Sequence, residues 1–202
     1  DTSLLVGGVT TTYWQSAICL ATGKSPGAIG SAHPLSAPYQ AIQTQDGWIN
    51  IGAANQANWK RLVEVIEKPE LANDPRFTDN ATRMKNLPVL IEILTERFRA
   101  RTTSDWLSRL EAAGVPAGPV LSIGEMLKDP QVLARDMVVE VKHSRLGTMK
   151  TLGPPVKFSA TPGSVRHGAP QLGQHTREVL KEYGYSEAEI DGLTSNGDVI
   201  VM

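Results

Sequence analysis

Residues 39–53 read YQAIQTQDGWINIGA, and this stretch decides the kind of fold. Tyr39–Thr44 and Trp48–Ala53 have strand character and meet at Asp46-Gly47. Asp-Gly between two such runs favours a hairpin turn, because glycine adopts positive φ without steric cost. The apolar period then changes. Trp59, Leu62, Val63 and Ile66 fall at i, i+3, i+4 and i+7, one face of a helix. Leu87, Leu90, Ile91, Leu94 and Phe98 repeat that pattern, with Pro88 tolerable in a first turn. Thr102 with Asp105 resembles a capping box, and the helix carrying Trp106, Leu107 and Leu110 is predicted to end at Gly114. A hairpin followed by helices makes the fold class α/β.

Upstream, residues 2–22 read as one helix rich in small residues and ended by Gly23. Gly7 and Gly8 weaken it locally, which suits close packing against another element. Lys24 to Pro38 is rich in Gly, Ser, Ala and Pro, a loop or linker. Downstream, Val115 to Ile123 suits a short strand or extended connection, and residues 125–135 suggest two helical turns split by Pro130. Val138–Val141 and Val156–Ser159 are strand candidates, and Thr161–Pro170 is hinge-like. Two helices follow, one over about His175–Tyr183 and one capped by Ser186 with Glu189 at its third position.

The 202 residues, 41% apolar and 20% charged, can fill a core. A net charge of -1 with scattered Lys and Arg argues against nucleic acid or a lipid surface as partner. Cys19 is the one cysteine, so no intrachain disulfide can form, and a reducing, cytoplasmic location is expected. No stretch approaches the roughly 18 apolar residues of a membrane span. The first residue is Asp1 rather than Met, which reads as a cut edge with further sequence upstream.

Tested for chemistry, most motifs fall away. Gly23-Lys24-Ser25 lacks the earlier glycine of a phosphate loop, since Ile18 stands there. His33, His143, His167 and His175 share no metal-ligand spacing, so no metal site is expected. There is no Gly-x-Ser-x-Gly elbow. Cys19 reads as a small buried hydrophobe, the tryptophans mostly as core, and Asn55 as a helix N-cap. His33 stands out because it lies in a loop between regular elements, where function concentrates.

Several segments carry a resemblance. They are Asp1 to Leu5 (DTSLL); Tyr39-Gln40 with Asp46-Gly47-Trp48; Ile51-Gly52-Ala53 with Trp59; Leu71 to Phe77 (LANDPRF); Gly114 to Val120 (GVPAGPV); Asp129-Pro130; Met137 to Val141; Pro155 to Ser159; and Pro170 to Thr176 (PQLGQHT). Together, in this order, they resemble family III CoA-transferases, which include formyl-CoA and carnitine-type transferases and α-methylacyl-CoA racemases. The resemblance implies the C-terminal half of that fold: a small α/β domain, linkers and part of a large Rossmann-like domain, in protomers interlocked as a dimer. Residues 1–36 would end a large-domain segment and form a linker. Residues 37–117 would be the small domain, and 118–202 a return linker with a C-terminal segment closing onto the large domain.

The resemblance also implies chemistry. CoA would be a substrate, with no permanently bound cofactor, and acyl-CoA and a carboxylic acid would be the partners. An enzyme carboxylate attacks the thioester, and covalent catalysis splits one hard exchange into easier steps. That nucleophile maps onto Val6, an acid in typical members. The family's mobile loop maps onto Gly30 to Ser36, with Gly30, Ser31, Ala32 and His33 as substrate-loop residues. In the racemase branch the catalytic acid maps onto Asp1, whose alternative role is capping the first helix. Three readings stay open: a transferase acting with a missing N-terminal half or as a homodimer, a racemase or epimerase, and a non-catalytic scaffold. An uncovered half would leave apolar surface exposed and drive association.

Overall fold

The computed structural model describes residues 1–202. It divides into two compact units, Asp1–Val120 and Leu121–Met202.

The first unit is built on a three-stranded antiparallel sheet of order β1-β2-β3, from Tyr39–Gln43, Trp48–Gly52 and Ala117–Pro119. The Asp46-Gly47 hairpin sets the register, Gln43 facing Trp48 and Tyr39 facing Gly52. That register turns Ile42, Ile49 and Ile51 to one face, where each is buried. Helix α3 (Gln56–Val65) lays Trp59, Leu62 and Val63 over the core. Helix α5 (Leu87–Phe98) adds Leu90, Leu94 and Phe98, and α6 (Thr103–Ala112) adds Trp106 and Leu110. Burying each such side chain contributes roughly 1.5–3 kcal/mol, so these three helices and the sheet hold the unit together. The Trp106 indole N–H donates to the Phe98 carbonyl at 2.7 Å, which removes the cost of burying it.

Local chemistry fixes the helix ends. Asn55 caps α3, its side chain accepting from the Asn58 N–H at 2.8 Å. Thr102 caps α6 through the Asp105 N–H, but the expected capping box is incomplete. The Asp105 carboxylate pairs with Arg101 and Arg109 instead. The remaining cap comes from the hairpin turn, where Asp46 accepts from the Thr103 N–H at 2.7 Å and its hydroxyl at 2.9 Å. These bonds hold the Asp46 carboxyl below its ordinary value of 3.8. Gly114, at φ +67°, terminates the helix as expected.

The single helix expected over residues 2–22 is two, α1 (Leu4–Thr11) and α2 (Tyr13–Thr22). The break falls at Thr12, the last of three consecutive threonines. All three hydroxyls donate to carbonyls three or four residues back, and Thr12 departs from helical geometry at φ -91°, ψ 13°. Neither helix buries a residue. Cys19 is therefore only half-buried, not the core residue expected. Trp59 and Trp106 are in the core, but Trp14 and Trp48 are about half exposed, at 49% and 48%.

A 3₁₀ turn at Pro69–Ala72 and helix α4 (Asn80–Lys85) complete the unit, and the sequence reading predicts neither.

In the second unit, α7 (Ile123–Met126) and α8 (Pro130–Ala134) are the two turns split at Pro130. Strands β4 (Val138–His143) and β5 (Gly147–Leu152) form an antiparallel hairpin. Its turn is organised by His143, whose Nδ1 accepts from the N–H groups of Arg145 and Leu146. The strand expected at Val156–Ser159 is absent; β4 takes its partner from the polar Gly147–Leu152 run instead. Helices α9 (Thr176–Glu182) and α10 (Glu187–Asn196) follow, the latter with the expected Ser186/Glu189 capping box. Arg177 joins them, pairing with Glu187 at 2.5 Å and Asp191 at 2.8 Å. No helix is long and apolar enough to cross a membrane.

Candidate functional site

The loop before β1 is tied down residue by residue. Gly30 turns at φ +61°, a conformation that favours glycine. The Ser31 hydroxyl accepts from the Ala41 N–H at 3.1 Å. The His33 N–H donates to the Tyr39 carbonyl at 2.9 Å. The His33 ring stacks on Tyr39, with centroids 5.2 Å apart and planes within 4°, and Trp14 of α2 meets its edge at 5.5 Å. Its Nδ1 accepts from the Leu35 N–H at 3.1 Å. A nitrogen that accepts a hydrogen bond carries no proton, so the neutral ring bears its proton on Nε2. Nε2 has no hydrogen-bond partner within the chain.

Helix α4 holds the far end of this loop. Asn80 donates to the Leu35 carbonyl and accepts from the Ala37 N–H, both at 2.9 Å. One turn on, Arg83 is fully buried, and sequence reasoning missed it. Its Nε donates to the Ala37 carbonyl at 2.7 Å, Nη2 to Ala54 at 2.6 Å, and Nη1 to Phe77 and to the Gln56 side chain at 3.1 Å each. The guanidinium lies 5.1 Å from the Trp59 ring centroid. Burial pushes its pKa down, partly offset by Asp79. Four donated bonds to neutral acceptors replace its hydration. The only local signal was Asp79 with Thr82, which form a reciprocal capping box and start α4.

Val6 and Asp1 lie elsewhere along the unit. Val6 is the third residue of α1 and 57% exposed. Its N–H donates to the hydroxyl of Ser3, which caps the helix at 3.2 Å. The capping role open to Asp1 belongs to Ser3, and Asp1 enters no ion pair. No hydrogen bond or ion pair joins Asp1 or Val6 to residues 30–36. The position of Val6 is chemically telling all the same. It is the third residue after a serine cap, where a glutamate would complete a capping box and where the helix dipole favours a carboxylate. Valine has no lone pair with which to attack a thioester.

Comparison with known proteins bears on this arrangement. The family model for CoA-transferase family III matches residues 1–176. The chain is 38% identical over 171 residues to the succinyl-CoA:glutarate CoA-transferase of Homo sapiens, covering 84% of this chain and 39% of that protein. It is 38% identical over 170 residues to the acetyl-CoA:oxalate CoA-transferase of Acetobacter aceti, covering 84% and 42%. The chain thus spans about two fifths of the length of these relatives. Among solved structures, a CAIB/BAIF family protein from Brucella suis superposes with a TM-score of 0.74 at 33% identity, over 86% of this chain and 44% of that one. Rv3272 from Mycobacterium tuberculosis shares the fold, with a TM-score of 0.68 at 23% identity over 83% and 43%.

Proposed function

The chain belongs to CoA-transferase family III, and on that basis we propose that it forms part of an enzyme moving CoA from an acyl-CoA to a carboxylic acid. The observation that carries this reading is the 38% identity over 171 residues to a succinyl-CoA:glutarate CoA-transferase. The relatives' names make short acyl-CoA donors and free carboxylates the substrate class to test first. CoA enters and leaves as substrate. The working assembly is at least a dimer, or a complex with the part of its relatives that this chain does not span, and it acts in a reducing, cytoplasmic setting. Residues 37–117 act as the small α/β domain.

In this reading a carboxylate attacks the thioester carbonyl carbon. The C–S bond breaks, CoA leaves as thiolate, and an acyl-enzyme anhydride forms. The thiolate then attacks the enzyme's own acyl carbon, releasing the first acid and leaving CoA on the enzyme as a thioester. The incoming carboxylate repeats the sequence and departs with CoA. The N-terminal turn of α1 is suited to hold the attacking carboxylate ionised, and the fastened 30–36 loop is suited to orient and shield the intermediates. Val6 cannot perform the first step, so the chain as it stands is proposed to be disabled there.

The test is transfer of labelled CoA from succinyl-CoA to glutarate or oxalate. The chain is assayed with the remainder of a family member supplied, carrying either Val6 or Val6→Glu. Transfer by the Val6→Glu protein is the expected result. A folded Val6→Glu protein without transfer would refute the nucleophile assignment. Exchange of the α-proton without transfer would replace the transferase with an epimerase.

A further inference from the structure

The two ends of the 30–36 loop are fastened differently. At its start, the Ser31 hydroxyl and the His33 N–H bond to β1 itself. Beyond β1, Asn80 is the one residue that hydrogen-bonds the loop. Its amide nitrogen donates to the Leu35 carbonyl, and its Oδ1 accepts from the Ala37 N–H. One carboxamide thus grips two peptide groups two residues apart. Apolar burial does not hold this end, since the Leu35 side chain is 56% exposed. Asn80 stands on a fixed base. The Asp79/Thr82 capping box brackets it at the start of α4, and Arg83 beyond it is fully buried. Arg83 secures Ala37, just past the loop. Leu35 is therefore the point at which the loop itself is held or released.

We infer that Asn80 is the positioning residue of this loop, and that its grip decides how much enzyme-bound thioester passes to the acceptor acid rather than to water. The inference rests on the transferase reading and assigns a residue that the family resemblance does not. Hydrolysis is the competing step. Water attacks the acyl carbon of the enzyme thioester and the C–S bond breaks. CoA leaves as thiol, and the enzyme carboxylate is regenerated with release of a proton. A loop held by two neutral hydrogen bonds to a rigid helix excludes water while staying cheap to open for exchange of acids. Asn80 touches no reacting atom and acts through the Leu35 and Ala37 backbone.

The test has two arms. In the chain alone, Asn80→Ala is expected to speed amide hydrogen exchange at Ala37 about tenfold, with the urea midpoint close to that of the parent. Alanine is a good first-turn helix residue, so α4 is retained. Asn80→Asp keeps the acceptor for Ala37 and loses the donor to Leu35, so Ala37 exchange should stay near the parent's. In the Val6→Glu protein supplied with the remainder of a family member, the ratio of free CoA to glutaryl-CoA formed from succinyl-CoA and glutarate is measured. That ratio is expected to rise about tenfold in Asn80→Ala, and to rise in Asn80→Asp as well. Unchanged Ala37 exchange in Asn80→Ala would overturn the grip. Faster exchange with an unchanged product ratio would overturn the role. So would a fall in transfer and hydrolysis together with a lowered urea midpoint, because a merely structural residue leaves the ratio alone. No transfer with Asn80 intact removes the transferase reading and this role with it. Transfer with Asn80 intact, at a ratio that Asn80→Ala does not move, removes the role alone.

Discussion

The Arg83 guanidinium donates from Nε to the Ala37 carbonyl at 2.7 Å, coupling the interior of α4 to the chain just past the 30–36 loop. The same group also binds the Ala54 and Phe77 carbonyls. Replacing Arg83 with Met keeps much of the volume and leaves three main-chain acceptors without their donor. The expected loss is about 3 kcal/mol, read by urea denaturation. Arg83→Lys is expected to recover little, because a single ammonium cannot reproduce the planar fork. Full stability in Arg83→Lys would contradict the fork argument.

Asp46 gives a pH signature. Its folded pKa lies below the ordinary 3.8, chiefly through the Thr103 N–H. A depressed carboxylate stabilises the fold fully above its unfolded pKa and loses that contribution as pH falls through the folded value. The thermal midpoint of Asp46→Asn should therefore lie below that of the parent protein above about pH 4. The gap should close at lower pH. A gap that persists unchanged to pH 2 would mean that charge plays no part in this cap.

Val6→Glu should improve the protein as well as its chemistry. The chain already builds reciprocal Ser–Glu boxes at Ser122/Glu125 and Ser186/Glu189, and Ser3 with Glu at position 6 would be a third. Helicity of the first segment, by NMR chemical shifts, should rise by an amount corresponding to about 0.5–1 kcal/mol. Lower helicity would show that the carboxylate is held away from the cap.

Gly7 and Gly8 face open space, and a methyl group added at either would meet nothing within 4 Å. Alanine at both should raise the helicity of α1 by roughly 1 kcal/mol per site. If this face meets a partner backbone, the same change should weaken association, measured by sedimentation. Higher helicity with unchanged association would move the contact elsewhere.

The core of the first unit is legible in the sequence because its apolar residues keep strict periods. Spacing alone puts Trp59, Leu62, Val63 and Ile66 on one face, and all four are buried. Asp46-Gly47 announces the hairpin. Arg83 is illegible because an arginine within a short polar run resembles a solvent-facing residue, and three of its four acceptors come from distant segments. Strand β5 escapes for a related reason. GTMKTL has little apolar signal, and its pairing is set by the turn geometry around His143 and Gly147, the latter at φ +73°. The tethers of His33 are likewise invisible, since Trp14 and Tyr39 reach it through folding.

Two neighbouring residues, at the end of β2 and just past it, hold both ends of a long excursion of the chain. The Ala53 N–H donates to the Pro38 carbonyl at 3.0 Å, and the Gly52 N–H to the Pro116 carbonyl at 2.9 Å. The chain between Pro38 and Pro116, which carries most of the core, therefore begins and ends at neighbouring points. Any transplant of it would have to take Ala117–Pro119 along, because that strand completes the sheet against β2, and the 31–37 segment whose backbone and hydroxyl groups Asn80, Arg83 and Ala41 engage.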